Sequence, residues 1–131
     1  MGAIIKKRTP VEQIQEKYRA KLVSADDAAK LVKSGDQIHL GLFCGVVVDI
    51  ERALAKRSEE LTDVTVCTTM WSYGEPPEIL KADPRAEHFH YCSTHLTGTE
   101  RKQNKEGNCW FLPVLPKGSM YPHRGVQSII S

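Results

Sequence analysis

The sequence predicts an α/β domain whose mainly parallel sheet is flanked by helices. Short apolar segments rich in β-branched residues alternate with segments of helical periodicity, and the connections between them are short. Because parallel strands need crossover helices, this alternation favours a parallel sheet. The chain has 131 residues, of which 40% are hydrophobic and 26% are charged, and this composition suits one domain with its own core.

The N-terminal residues 1–22 predict an arm helix. Thr9 is suitable as its N-cap, and Pro10 fits the first helical position, where a missing N–H is tolerated. The apolar residues that share one face of this helix are Val11, Ile14 and Tyr18.

A second helix is predicted to start at Ser24, which together with Asp27 resembles a capping box with an acid in place of the usual Glu or Gln. Gly35 would end that helix at the C′ position. Residues 117–131 predict a loop-like C-terminal stub with a final apolar stretch. The elements predicted between are a strand at 36–42, a helix at 49–61, a strand at 63–70, a short helix starting at Pro76 or Pro77, a strand at 86–94, a polar helix at 98–107 and a strand at 108–114.

Charge and cysteine usage limit the classes of partner and compartment. The net charge is +2 and basic residues are interspersed with acidic ones, which argues against a nucleic-acid partner or a membrane surface. No long apolar run or signal-peptide pattern is present, so a cytoplasmic location is expected. The cysteines are spread without a CxxC pair, which predicts free, buried, reduced thiols. They are Cys44, Cys67, Cys92 and Cys109.

The carboxylates outside the strands are predicted to be solvated. None of them has an apolar neighbourhood in the sequence that would raise its pKa for acid–base work. Three lie on the charged face of the helix at 49–61 and three flank turns. They are Glu51, Glu59 and Glu60 on the helix, and Glu75, Glu78 and Glu87 at the turns.

Two local clusters each have two interpretations. In "HFHYCSTH", the side chains of His88, His90 and Cys92 alternate toward one face of a strand, and His95 follows in the turn. Zinc accepts such ligands, but the spacing matches no established motif, so hydrogen-bonded strand histidines are favoured and no metal is assigned. In "HLTGTERK", a helix N-terminus could attract an anion, or Thr97 or Thr99 could simply cap the helix with Arg101 solvated.

The segment "HLGLFCGVVVD" runs from a strand through a turn into a helix. It lacks the glycine patterns of dinucleotide and phosphate loops. In parallel α/β sheets, ligands bind beyond the carboxyl ends of the strands. The apolar turn is therefore either packing or the wall of a pocket for an acyl chain or a pantetheine arm.

Several segments, in the same order along the chain, carry a family resemblance. These are "SADDA" at 24–28, "KSGD" at 33–36, "ALAKRSEELTDV" at 53–64 and "EHFHYCSTHLTGTERKQNKEG" at 87–107. Over residues 18–116 the sequence resembles the N-terminal domain of the acetyl-CoA hydrolase/transferase family, in the branch of the butyryl-CoA:acetate and 4-hydroxybutyrate CoA-transferases.

The resemblance implies a CoA-transferase-like α/β domain of the NagB/RpiA/CoA-transferase type, which we expect to be incomplete within this chain. Such enzymes have two similar domains with the active site between them. They move coenzyme A between an acyl-CoA and a carboxylic acid through a glutamyl-CoA thioester, so acyl-CoA is a substrate and no cofactor is expected. No glutamate of this chain matches the catalytic motif, and no catalytic residue is assigned. By analogy, the pocket wall comprises Gly41, Leu42, Phe43, Cys44, Gly45, Val46, Thr97, Gly98, Thr99 and Arg101.

The leading hypothesis is that residues 1–131 are the N-terminal α/β domain of a CoA-transferase, inactive by itself. Its expected partners are an acyl-CoA (butyryl-, 4-hydroxybutyryl- or acetyl-CoA), a carboxylate such as acetate, a missing C-terminal domain and further copies of itself. One alternative is a non-enzymatic α/β module that oligomerises to bury an exposed sheet edge. The other is a zinc site between His88 and His95.

Overall fold

A computed structural model describes residues 10–113 of the chain. Helices and strands alternate along this part, as the periodicity predicts. The helices are α1 (Val11–Lys21), α2 (Ala25–Ala29), α3 (Val48–Ala55), α4 (Glu78–Ala82) and α5 (Gly98–Lys105). The strands are β1 (Gln37–Leu42), β2 (Val64–Thr69), β3 (Phe89–Ser93) and β4 (Trp110–Phe111).

The four strands form one sheet in the order β1-β2-β3-β4, and every neighbouring pair is parallel. Val66 of β2 lies opposite Ile38 of β1 and Tyr91 of β3. The predicted parallel α/β fold is therefore confirmed. Because β–α–β crossovers are right-handed in nearly all proteins, this strand order puts the connecting helices on one face of the sheet.

The two faces of the sheet differ in burial. Side chains that alternate toward the helices are fully buried and form the core, among them Leu40, Val66 and Tyr91. On the opposite face, Thr65 and His90 are only partly buried. Within residues 10–113 one face thus carries the hydrophobic core, while the other remains partly open to solvent.

The arm helix α1 is present, but it does not pack against the rest of residues 10–113. Pro10 is the N-cap and not the first helical residue, so α1 begins one residue later than predicted, and the predicted cap Thr9 lies outside the described residues. No residue of α1 is buried, and the apolar face formed by Val11, Ile14 and Tyr18 is exposed. The predicted stub at 117–131 also lies outside the described residues.

The second helix is shorter than predicted. The hydroxyl of Ser24 accepts a hydrogen bond from the N–H of Asp27, so the predicted N-cap is confirmed. The helix ends at Ala29, however, and Gly35 is not its C′ residue. Gly35 instead adopts φ +83° in a later turn, where its N–H donates to the carbonyl of Thr62. Contact with the chain that leads into β2 therefore sets the conformation of this glycine.

The third helix also ends early, at Ala55, and residues 56–60 form turns. The side chain of Arg57 reaches back to donate to the carbonyl oxygens of Ala29 and Val32. This contact satisfies backbone acceptors at the end of α2. Within residues 10–113, no helix has the length and apolar character needed to cross a bilayer.

Candidate functional site

The carboxyl ends of the parallel strands lie along one edge of the sheet. Three connections leave that edge: residues 43–47 after β1, residues 70–77 after β2 and residues 94–97 after β3. Open α/β sheets bind their ligands at this edge. We define these three connections together as the strand-end loops.

The turn after β1 has a constrained backbone. Gly41 adopts φ +105°, and a Cβ atom there would collide with the carbonyl oxygen of Gly45. Phe43 adopts φ +49°, which is unusual for an aromatic residue, and it begins a single 3-10 turn that ends at Gly45. Conformations of this kind persist only where the surrounding structure holds them, and they cluster at functional sites.

The same turn divides its apolar side chains between the core and solvent. Val46 is buried in the core, whereas Leu42 and Phe43 are 49% and 48% exposed at the edge of the sheet. Cys44 and Gly45 are exposed as well. Packing thus accounts for Val46, while Leu42 and Phe43 are available to a ligand.

The connection after β2 was not singled out from the sequence. Met70 adopts φ +60°, and the following Trp71 is buried. The indole N–H of Trp71 donates to the carbonyl of Glu75 at 2.7 Å, and its ring packs against Tyr73 with centroids 5.0 Å apart. The signal for this loop was present in "MWSYGEPP", where two aromatic residues and a glycine follow a buried strand.

The turn after β3 leads into α5 through a capping box. The Thr97 hydroxyl accepts from the N–H of Glu100 at 3.4 Å, and the Glu100 carboxylate accepts from the N–H of Thr97 at 2.9 Å. Thr97 is therefore the N-cap, which is one of the two caps that the sequence left open, and Arg101 is exposed. The hydroxyl of Thr99 donates to the carbonyl of Gly74 at 3.3 Å, which ties this turn to the loop after β2.

Glu100, in the first turn of α5, joins β2 and β3 to two of the strand-end loops. It is fully buried, and one carboxylate oxygen accepts from the hydroxyls of Thr68 and Tyr91, each at 3.3 Å. The other oxygen accepts from the N–H groups of Trp71 at 3.2 Å and Thr97. Burial raises the pKa of Tyr91, so its phenol keeps the proton that it donates. Glu100 was overlooked in the sequence, although the T-x-x-E spacing of a capping box would have indicated it.

Glu51 is fully buried, and its prediction as a solvated residue was wrong. One of its oxygens accepts from the N–H of Ile79 at 2.7 Å, so it caps the N-terminus of α4 from α3. The other oxygen has no hydrogen-bond partner among residues 10–113. Burial raises the pKa of Glu51 to about 7, despite the opposing hydrogen bond from Ile79. The sequence could not reveal this burial because α3 and α4 meet only in the tertiary structure.

The histidines near β3 each have a separate partner. The Nδ1 atom of His88 lies 2.8 Å from the carbonyl oxygen of Leu61, and the Nε2 atom of His90 lies 3.1 Å from a carboxylate oxygen of Asp63. His95 is exposed beyond the strand. Across residues 10–113, no three His, Cys, Asp or Glu side chains are grouped so that they could hold a metal ion. This arrangement does not support the zinc alternative.

All four cysteines are free, as predicted. Cys67, Cys92 and Cys109 are buried, but Cys44 is exposed, so the prediction of burial was wrong for that residue. Cys44 lies in the 3-10 turn beyond the end of β1.

A surface cleft of about 390 Å³ lies between α2 and α3, away from the strand-end loops. It borders the C-terminal end of α3, at the opposite end of the sheet from the strand-end loops. The salt bridge between Lys56 and Asp26, at 3.1 Å, spans the cleft. We interpret it as a polar groove between α2 and α3. Its charged lining residues are Asp26, Lys30, Lys56, Arg57 and Glu60.

The sequence profile of the acetyl-CoA hydrolase/transferase N-terminal domain matches residues 5–122. The chain belongs to the acetyl-CoA hydrolase/transferase family. The match includes all three strand-end loops.

Two curated relatives from this family are named as CoA-transferases. The butyryl-CoA:acetate CoA-transferase of Anaerostipes caccae is 40% identical over 102 residues, which cover 76% of this chain. A probable butyrate:acetyl-CoA coenzyme A-transferase of Syntrophomonas wolfei is 37% identical over 103 residues, which cover 79% of this chain. The chain spans 22% of the length of each relative.

Solved structures support the fold of this family member. RipA from Yersinia pestis superimposes with a TM-score of 0.64 over 81% of this chain and 26% of its own, at 19% sequence identity. A structure of a RipA point mutant gives a TM-score of 0.69 over 87% of this chain and 28% of its own, at 18% identity. At these identities the similarity establishes the architecture alone.

Proposed function

We propose that the chain is the N-terminal α/β domain of a CoA-transferase that moves coenzyme A between a short-chain acyl-CoA and a carboxylate such as acetate. The family membership and the names of the two relatives support this activity. The acyl-CoA thioester is the substrate, and no further cofactor is proposed. Butyryl-, 4-hydroxybutyryl- and acetyl-CoA are the proposed donors.

The proposed position of the substrate rests on one observation. Leu42 and Phe43 stand about half exposed at the carboxyl edge of the sheet, on a backbone held in place by Gly41. An acyl chain or pantetheine arm is apolar enough to bury these side chains, whereas a bare phosphate is not. We propose that this turn forms one wall of the acyl-CoA site and that residues 97–101 lie beside it.

The buried glutamates of the chain do not suit the role of nucleophile. Glu100 already accepts four hydrogen bonds, and Glu51 is buried while capping α4. A carboxylate that attacks a thioester needs access to the substrate. This agrees with the proposal that the glutamate forming the glutamyl-CoA thioester belongs to a C-terminal domain outside this chain.

Binding of butyryl-CoA, measured by isothermal titration calorimetry, tests the pocket wall. Phe43→Asn removes the aromatic ring and keeps a residue that tolerates positive φ. We expect it to weaken binding about 5- to 10-fold, because about 1 kcal/mol of apolar burial is lost. Tyr18→Asn removes another exposed aromatic residue, on α1, and serves as the control, with binding unchanged. Equal affinities of the wild type and Phe43→Asn for butyryl-CoA would contradict the proposal that Phe43 forms part of the pocket wall.

Exchange of coenzyme A between butyryl-CoA and acetate tests the placement of the nucleophile. We expect the 131-residue chain to catalyse no exchange above background, although it binds butyryl-CoA. Adding the C-terminal part of a relative as a separate polypeptide is expected to restore turnover. Turnover by the 131-residue chain without that addition would contradict the proposal.

A non-enzymatic oligomeric module is the second candidate, and the partly open face of the sheet favours it. Parallel sheets are normally covered on both faces. We propose that another copy of the chain covers this face when no second domain is present. Light scattering after size-exclusion chromatography is expected to give a dimer or larger species. A dimer that does not bind butyryl-CoA would favour the non-enzymatic candidate, and a monomer would exclude it.

A further inference from the structure

Cys67 and Cys92 face each other across the two central strands of the sheet. Their Cα atoms are register partners in β2 and β3, and their sulfur atoms are 2.7 Å apart. Neighbouring strands lie about 4.8 Å apart, which is within the Cα separation of about 4.4–6.8 Å that a disulfide spans. Since an S–S bond is about 2.05 Å long, closing it takes a movement of less than about 1 Å.

The pair lies on the face of the sheet that the helices leave partly open. Each of the two residues is 8% exposed, whereas Cys109 is completely buried. Their register partners on the outer strands are His39 beside Cys67 and Trp110 beside Cys92. Within residues 10–113, both cysteines thus lie just beneath the partly open face of the sheet and outside the hydrophobic core cluster.

The two thiols differ in acidity. The hydrogen bond from Cys92 lowers the pKa of Cys67, against the opposing effect of burial. The same hydrogen bond, together with burial, raises the pKa of Cys92. Because the thiolate is the reactive form, we assign the first attack to Cys67 and the resolving step to Cys92. Formation of the disulfide itself rests on the strand register and the sulfur contact, which do not depend on that assignment.

We propose that Cys67 and Cys92 are a reversible redox pair that hydrogen peroxide converts into an intramolecular disulfide. In the first step, the Cys67 thiolate attacks one peroxide oxygen, the O–O bond breaks, and hydroxide leaves as Cys67 becomes a sulfenic acid. In the second step, Cys92 attacks the Cys67 sulfur, the S–O bond breaks, and water leaves with the Cys92 proton. The two thiols lose two electrons, and these reduce the peroxide to water.

The disulfide would act at the base of the strand-end loops. It would join β2 and β3 two residues before the hydrogen bond between the hydroxyls of Thr69 and Thr94, which are 2.7 Å apart. Residues 70–77 and 94–97 leave the sheet directly after that point. Oxidation would thus link covalently the two strands that position these loops. This site goes beyond CoA transfer and does not depend on it.

Peptide mapping by mass spectrometry after treatment with a small excess of hydrogen peroxide tests the proposal. In the unaltered chain we expect a peptide pair linked through Cys67 and Cys92, which dithiothreitol separates again. In the Cys44→Ser variant, which removes the exposed thiol, the intact mass should fall by about 2 Da with loss of two of the three remaining thiols.

Single variants in the Cys44→Ser background show whether the disulfide needs both thiols. Without Cys92, Cys67 should stop at the sulfenic acid and react with dimedone. Without Cys67, the hydrogen bond that raises the pKa of Cys92 is lost as well, and peroxide treatment should give no loss of about 2 Da. The proposal is overturned if both thiols stay reduced, if Cys67 proceeds to a sulfinic acid while Cys92 is present, or if the disulfide forms only between molecules.

Discussion

Ionisation of Glu51 is expected to destabilise the fold as the pH rises from 4.5 to about 7. Burial raises the pKa of this carboxyl group from 4.5 to about 7. Across this interval the folded chain binds more protons than the unfolded chain. The neutral Glu51 carboxyl group therefore stabilises the folded state fully below pH 4.5, and this stabilisation is lost as the pH rises through 7. At about 1.36 kcal/mol per pKa unit, the loss is about 3 kcal/mol in the free energy of unfolding.

Glu51→Gln is the matched variant for this measurement. The glutamine oxygen can still accept from the N–H of Ile79, but the side chain does not ionise. Urea unfolding is followed by far-UV circular dichroism and by the fluorescence of the buried Trp71 at several pH values. Groups that are the same in both proteins contribute equally to each, so their effect cancels in the difference between wild type and variant.

The difference in unfolding free energy between wild type and Glu51→Gln should shift by about 3 kcal/mol between pH 4.5 and pH 8, in favour of the variant at the higher pH. A constant difference across this range would refute the assignment of a buried carboxyl group with a raised pKa. Glu51→Ala adds a second check. It leaves the N–H of Ile79 without its acceptor and should cost about 1–3 kcal/mol at pH 4.5, where ionisation plays no part.

Three further predictions concern residues that hold the strand-end loops and the turn before β3. Gly41→Ala should lower the free energy of unfolding by more than about 2 kcal/mol, because the added Cβ meets backbone atoms at a residue of positive φ. Gly45→Ala is the control and should change it by less than about 0.5 kcal/mol, since no described atom lies within 4 Å of the Cβ at that position. Glu100→Ala should cost about 3 kcal/mol or more in chemical denaturation, because four buried donors lose their acceptor. Burial alone would raise the pKa of Asp83, but hydrogen bonds from three backbone N–H groups lower it. The stabilisation by Asp83 should therefore be lost as the pH falls below about 4, and this loss should be absent in Asp83→Asn.

The sequence was sufficient for features that depend on neighbouring residues. The cap at Ser24 was predicted correctly, and Thr97 was one of the two caps that the sequence left open, because each side chain bonds to an N–H three residues further along the chain. The start of α4 directly after Pro77 follows from the fixed φ of proline. The alternation of apolar strands with helical patterns predicted the parallel sheet, since it restricts how successive strands can be connected.

The lengths of α2 and α3 were not predictable in the same way. Both periodic segments continue past the observed ends at Ala29 and Ala55. The side chain of Arg57 binds carbonyls at the end of α2, and the N–H of Gly35 binds the chain that enters β2. Contacts between segments more than 20 residues apart replaced helical hydrogen bonds, and no local pattern reports them.

The sequence alone determined the order of elements, the fold class and the family resemblance, because these follow from periodicity, turn chemistry and the order of short motifs. Only the tertiary structure decided which acidic side chains are buried and which thiols lie next to each other. Glu51 and Glu100 are buried because helices and strands enclose them, and Cys67 meets Cys92 because strand register aligns residues 25 positions apart. Burial and register are properties of packed elements, and they arise only when distant parts of the chain come together.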